Sequence, residues 1–300
     1  MAGPQREQAG SQRRGWTLFR VAGIQIRLDP SWILIFLLIL WSLSAGYFPR
    51  VHPEQTTAAD WAAGLFATLL FFASLLAHEL SHSLVARHAG LEVPSITLFL
   101  FGGASEMARE PDRPGTELRI AVVGPLASFG LAALFGAVSW ALDRGAQGQE
   151  MLRAVLGYLA WINLALGVFN LLPGLPLDGG RVLRALVWWR SGSRLRGSRV
   201  ASRAGRGLGI GLAILGGLQI FGGALLGGIW LILIGLFLRG LAQASYQSLV
   251  LKQSLEDASV RDVMVSDPVC IAPDRTLQDL VEDYVLAHGY RGFPVTENGR

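Results

Sequence analysis

The chain has almost no cysteine and little charge. Cys270 is the one cysteine in 300 residues, which excludes an intrachain disulfide and a thiolate metal cluster. Charged residues make up 16% of the chain, against about a quarter in soluble domains. Apolar residues make up 51% and the mean hydropathy is +0.41, so lipid is the expected solvent for much of the chain. The net charge is only +4 at a pI of about 9.7. That excess fits arginines in loops beside a membrane, and nucleic acid is not an expected partner. A secretory signal peptide is not expected either. The basic start (Arg6, Arg13, Arg14, Arg20) leads into an apolar run too long for a signal sequence, with no small-residue cleavage site after it.

What the chain does have is long uncharged runs. A bilayer core of about 30 Å needs roughly 20 apolar residues as helix. Residues 31–48 form a first span. Residues 61–77 begin a second, which continues towards Arg87, and 120–142 and 154–177 form a third and a fourth. Residues 207–238 are uncharged throughout; Gly-Gly pairs at 216–217, 222–223 and 227–228 favour two short helices in a hairpin over one tilted helix. The segment 181–206 holds eight arginines and no acid, whereas 49–60 holds only Arg50 and 143–153 only Arg144 and Arg153. The N-terminus and the loops 87–119 and 181–206 are therefore expected to be cytoplasmic. Spans two and four then run parallel, both ending on that side. Small residues on span three, including Gly124, Ala127 and Ser128, allow close helix packing.

Two stretches read as strand. In "GIQIRLDPSW" (23–32), Ile24, Ile26 and Leu28 alternate with Gln25 and Arg27. "LEVPSITLFLFGGASEMARE" (91–110) is β-branched and aromatic with a Gly-Gly break, so it reads as interfacial strands or a re-entrant loop. From residue 259 the chain becomes charged and soluble in character, with strand expected at 269–272, helix at 276–288 and strand at 293–296. A βαβ unit this short cannot bury its own core, so a continuation beyond residue 300 is expected.

The chemistry concentrates at "HELSH" (78–82). Residues i and i+4 share one helix face, so His78 and His82 can bind one ion together. Glu79 projects about 100° away, within reach of a water on that ion. This is the logic of H-E-x-x-H: two zinc ligands and a general base. The competing reading is a polar helix end with its histidines in water. Depth counts against it, because His78 lies about 25 Å along a helix that starts near Trp61, and ionisable groups at that depth are functional candidates. A third ligand is required. His52 is expected outside, His88 at the surface beyond His82, and His288 and Cys270 in the tail. Asp178 in "NLLPGLPLDGG" (170–180) ends span four, at the same depth as HELSH. Pro173 and Pro176 break the helix there, and Gly179 and Gly180 allow close backbone approach. The alternative makes Asp178 the N-cap of a helix at 179–190. The shared depth favours the ligand.

HELSH, followed by N-x-x-P-x-x-P-x-D-G-G at 170–180, resembles the site-2 protease family of intramembrane zinc metalloproteases. "GIQIRLDPSW", "FGG" (101–103) and "GPLAS" (124–128) are similar to its bacterial and archaeal members. The tail from Val260 to Arg300 resembles the first half of a CBS domain, which points to the CBS-containing branch. The resemblance covers nearly all of 16–300. It implies one zinc per chain on His78, His82 and Asp178, with Glu79 as catalytic base and Asn170 positioning substrate or stabilising an oxyanion. It also implies cleavage of a peptide bond in the transmembrane segment of a membrane-anchored substrate.

The expected fold class is therefore an all-α polytopic membrane protein of about six transmembrane helices, with short interfacial β segments and a partial α/β CBS domain. The expected divisions are an N-terminal segment (1–30), the protease domain (31–245), a linker (246–258) and the CBS segment (259–300). The expected place is the cell membrane, with the N-terminus and CBS segment cytoplasmic. Expected partners are a transmembrane substrate, the bilayer and an adenine nucleotide at a complete CBS domain; a homodimer is left open. A zinc or solute transporter is the rival from another class, but it would show more polar residues along its pathway and internal repeats. Spans one and three carry no acid, base or histidine. An inactive scaffold is a second rival, against which the intact Glu79 argues. The arginine-rich segment reads as a positive-inside loop rather than a site for anionic lipid.

Overall fold

The computed structural model describes residues 15–100, 102–144, 149–256, 259–290 and 292–296. Arg6, Arg13, Arg14, Phe101 of the FGG motif, part of the expected linker and the final ENGR turn lie outside the described residues. The chain divides into two compact units, Met1–Gln247 and Ser248–Arg300.

Six helices in the described residues are long and apolar enough to cross a membrane, as expected. Helix α1 (Ser31–Ser42) runs through a π-helical turn (Leu43–Tyr47) into α2 (Phe48–Val51), and these together make the first span. Asp29 Oδ1 starts it by accepting from the Ser31 backbone N–H at 2.9 Å. Helix α3 (Thr57–His88) is capped by the Thr56 hydroxyl and ends in Arg87 and His88, where cations suit the helix dipole. Helices α4 (Pro114–Asp143) and α5 (Glu150–Asn170) form the third and fourth spans.

The fourth span ends at Asn170, not at residue 177. Pro173 and Pro176 turn 171–177 into an irregular connection, which includes the cis bond Leu175–Pro176. The arginine-rich segment is also not a loop. It forms α6 (Asp178–Ser191) and the first turns of α7 (Arg194–Phe221), because arginine is a good helix former and Ser193 accepts from Arg196 N to cap α7. Residues 207–238 do form a hairpin: α7 turns at Gly223, with φ of +90°, into α8 (Leu225–Glu256). Both helices are longer than expected because they extend beyond the uncharged run at each end. A Cβ on Gly216 or Gly209 would strike the main chain of Gly228 or Gly235, and the reverse also holds, so the two backbones pack in direct contact.

A four-stranded sheet flanks the second and third spans, in the order β1-β2-β3-β4. Strand β1 (Trp16–Val21), absent from the sequence reading, pairs antiparallel with β2 (Ile24–Leu28). Strand β3 (Ser95–Phe99) runs parallel to β2, with Ile26 opposite Ile96, and β4 (Gly102–Glu106) returns antiparallel, with Gly103 opposite Leu98. The first two spans thus serve as the crossover that a parallel pair requires. Ile24, Ile26 and Ile96 are fully buried against Ala86 of α3 and Ile120 of α4. Strand β4 is an edge.

Helix α3 is the most enclosed of the six spans. Its far end packs with Leu43, Phe48, Val155 and Leu159. Its middle packs with Leu28 and Leu98 through Phe72 and Leu75, and Trp32 meets Phe72 edge-on at 5.0 Å. Along α3, HELSH lies between Leu75 of that middle cluster and Ala86, which packs under Ile24, Ile26 and Ile96.

The second unit contains α9 (Val260–Val263), α10 (Leu277–Asp279), a π-helical turn (Leu280–Val285) and α11 (Leu286–His288). The helix expected at 276–288 is present. The two expected strands reduce to one parallel bridge, Ile271 to Val295. A lone parallel pair has few neighbours to support it.

Candidate metal centre

Helical spacing puts the His78 and His82 rings one turn apart on the inner face of α3, with both residues nearly inaccessible to solvent. Their Nε2 atoms are 3.2 Å apart. Asp178 Oδ2 lies 3.2 Å from His78 Nε2 and 3.1 Å from His82 Nε2. Asp178 is the first residue of α6; Leu177 occupies the N-cap position, and no side chain caps the helix. The carboxylate therefore faces the histidines instead of serving as a cap.

Helix α4 holds the rings from behind. His82 Nδ1 is 2.6 Å from the Ile120 carbonyl, which can only accept. The proton is thus on Nδ1, and Nε2 points a lone pair at His78 and Asp178. His78 Nδ1 is 2.9 Å from Ser128 Oγ. Pro125, inside α4, has no N–H, so the Ala121 carbonyl next to Ile120 lacks its usual helical donor. Gly124 lies against both imidazoles, and a Cβ there would collide with the His82 ring.

Two imidazole nitrogens and a carboxylate oxygen thus converge on one point, an arrangement that can hold a cation. At a Zn–N distance of about 2.0–2.1 Å, tetrahedral ligand atoms are about 3.3 Å apart. The observed spacings of 3.1–3.2 Å fit that cage. Two imidazoles and a carboxylate suit zinc and leave one tetrahedral position open. Among the described residues this is the group of ligating side chains that can hold a metal ion.

Residues 66–144 and 136–212 match peptidase family M50, and 260–300 match the CBS domain. Rip3 of Mycobacterium tuberculosis, which carries a zinc-metalloprotease name, is 38% identical over 280 residues, 93% of this chain and 71% of that protein. The chain belongs to the site-2 protease family, M50. Zinc metalloprotease MJ0392 of Methanocaldococcus jannaschii is 33% identical over 94% of this chain and 75% of its own length. The solved site-2 protease from the same archaeon shares 31% identity, with a TM-score of 0.52 over 77% of this chain and 94% of that one. This M50 chain is a multi-pass membrane zinc metalloprotease, and zinc is its cofactor.

Glu79 lies beside the histidine pair, on the side of β4. An ideal Cβ on Gly103 would come within 3.0 Å of the Glu79 Cδ and 3.2 Å of its Oε1, so the strand's main chain rests on this side chain. Asn170 turns back on its own helix, its Nδ2 donating to the Leu166 carbonyl at 3.0 Å. The structure therefore gathers His78, His82 and Asp178, keeps Glu79 adjacent, and leaves the Asn170 amide bonded to α5. Ser128, the Ile120 carbonyl and Gly103 were not read from the sequence as parts of a site. A proline inside the uncharged run at 125, next to Gly124, marks this stretch of α4 in the sequence.

Proposed function

We propose that this protease hydrolyses a peptide bond within the transmembrane segment of a membrane-anchored substrate, with His78, His82 and Asp178 holding zinc and Glu79 acting as general base. The observation that carries the reading is the convergence of two imidazole nitrogens and a carboxylate oxygen at tetrahedral spacing, with both imidazoles tied to α4 through Nδ1. When zinc is bound there, it supplies Lewis acidity at the scissile carbonyl and acidifies an adjacent water. Glu79 takes that water's proton and passes it to the leaving amine. Asn170 is proposed to turn from its own helix and hydrogen-bond the substrate once substrate is present.

A helical substrate hides its amides, so the reacting stretch must be extended. The edge strand β4, which lies against Glu79 and pairs with no strand but β3 among the described residues, offers main-chain groups for strand addition. Proline substitution at 103, 104 and 105 in turn tests this; full cleavage in all three removes the idea. Of the two strands in 91–110, β3 is paired on both sides, so only β4 is available. Six spans return both ends of the protease unit to one side, and the arginine distribution makes that side cytoplasmic. An adenine nucleotide at a complete CBS domain is proposed to regulate cleavage.

The test is zinc content together with cleavage of a model transmembrane substrate. Glu79→Gln should keep zinc and lose cleavage by about 10²–10⁴-fold. Asp178→Ala should lose zinc. Retained cleavage in Glu79→Gln defeats the mechanism, and full zinc occupancy in Asp178→Ala defeats the ligand set.

A further inference from the structure

We propose that the buried Glu117–Arg184 ion pair is a positioning clamp that holds Asp178 at zinc-binding distance from His78 and His82. The proposal rests on the ligand set above. Two of the three ligands come from one continuous helix, so their mutual spacing follows from α3 itself. The third does not. Asp178 opens α6 after seven irregular residues, 171–177, that transmit no helical register from α5. Zinc distances tolerate only about ±0.2 Å, so another contact must set the position of α6.

Helix α4 supplies that contact. Glu117, in its first turn, is fully buried and receives Arg184 of α6, with Arg184 Nε donating to Glu117 Oε1 at 2.6 Å. The Arg184 Nη2 reaches the same oxygen. About one helical turn further along α4 the Ile120 carbonyl binds His82, and about three turns along it Ser128 meets His78. One helix thus grips both histidines and, through Glu117, the helix that carries the third ligand. Arg181 sits between Asp178 and Arg184 on α6, with its Nη1 3.9 Å from Asp178 Oδ1. It faces the carboxylate oxygen that does not face the histidines.

Stability alone is a poor reason for this pair. Buried ion pairs rarely out-perform apolar packing, and Glu117 Oε2 is enclosed without a hydrogen bond. Geometric specification is the better reason: the pair touches no ligand itself but fixes the helix that carries one, and residues that orient metal ligands are commonly worth about 10–100-fold in affinity.

The experiment uses the full chain in detergent. It measures zinc affinity by chelator competition, the visible spectrum of the cobalt-substituted protein, and thermal melting without metal. Wild type and Asp178→Ala establish the ligand set first. Glu117→Gln and Arg184→Gln are expected to weaken zinc binding by about 10–100-fold and to shift the cobalt bands. Phe48→Ala, in the cluster at the far end of α3, should lower the melting temperature and leave affinity and spectrum unchanged. Wild type that binds no zinc overturns the ligand set and the clamp together. Wild type that binds zinc, with Glu117→Gln of equal affinity, overturns the clamp alone, as does a Phe48→Ala protein that loses affinity in step with its stability. Should the charge-removing variants fail to fold, Glu117→Asp decides, because it keeps the charge and shortens the reach by one methylene. Weaker zinc binding at a wild-type melting temperature supports the clamp, and unchanged affinity and spectrum overturn it.

Discussion

Gly124→Ala replaces one hydrogen by a methyl group, and should abolish zinc binding. The ideal Cβ at this position is 2.8 Å from His78 Nε2 and overlaps the His82 ring more severely. Ordinary contacts of a carbon start at about 3.4–3.5 Å. His78 Nε2 must therefore retreat by about 0.6 Å, and the zinc tolerance is about 0.2 Å. Neither ring can retreat freely, because Ser128 and the Ile120 carbonyl fix the other nitrogen of each. Helix α4 can move away instead, which breaks those same bonds. Overpacking of this kind should also cost about 1–3 kcal/mol of stability. Gly130→Ala, on the same helix, is the control, because its Cβ would meet nothing within 4 Å. It should be neutral or slightly stabilising, by up to about 1 kcal/mol. The assay is zinc stoichiometry after dialysis against a weak chelator, alongside thermal melting for both variants. A Gly124→Ala protein that retains stoichiometric zinc would refute the close approach of α4 to the imidazoles.

Ser128→Ala removes the partner of His78 Nδ1, and should weaken zinc binding by about 10–100-fold while leaving the spans intact; chelator competition measures it. Stripping the metal with a chelator should stop cleavage, and added zinc should restore it without refolding, since the described helices form their cores away from the three ligands; helicity by circular dichroism should hold throughout. Gly228→Ala should push α7 and α8 apart, because its Cβ would strike the Gly216 carbonyl and Ile220. A loss of about 1–3 kcal/mol is expected with no change in zinc affinity, read from melting and metal content of the same sample.

The spans, the HELSH face and the partnership with Asp178 were all legible before any coordinates. Each follows from a one-dimensional property. Run length against bilayer thickness gives the spans, the 3.6-residue period gives the His78–His82 face, and two spans read as parallel bring HELSH and the segment after the fourth span to one depth. Local rules misled where two applied at once. Arginines mark the cytoplasmic side, yet they also favour helix, so the segment read as a loop is α6 and the start of α7. The run 154–177 is apolar throughout, yet Pro173 and Pro176 end the helix early.

The composition and pattern of this chain determined that it is a multi-pass membrane protein and that it carries two histidines, a glutamate and an aspartate at one level. The tertiary structure alone decided what surrounds them: the Ile120 carbonyl that fixes the His82 tautomer, Gly124 pressed on the rings, Gly103 of β4 resting on Glu79, and Glu117 joined to Arg184. These contacts link residues 24 to 67 positions apart, on different helices or between helix and sheet. Hydrophobicity sets how deep each helix sits, but it is blind to rotation about the helix axis and to the register of one helix against the next. Those are settled by which small side chains let two backbones approach, and that is a property of the pair of surfaces.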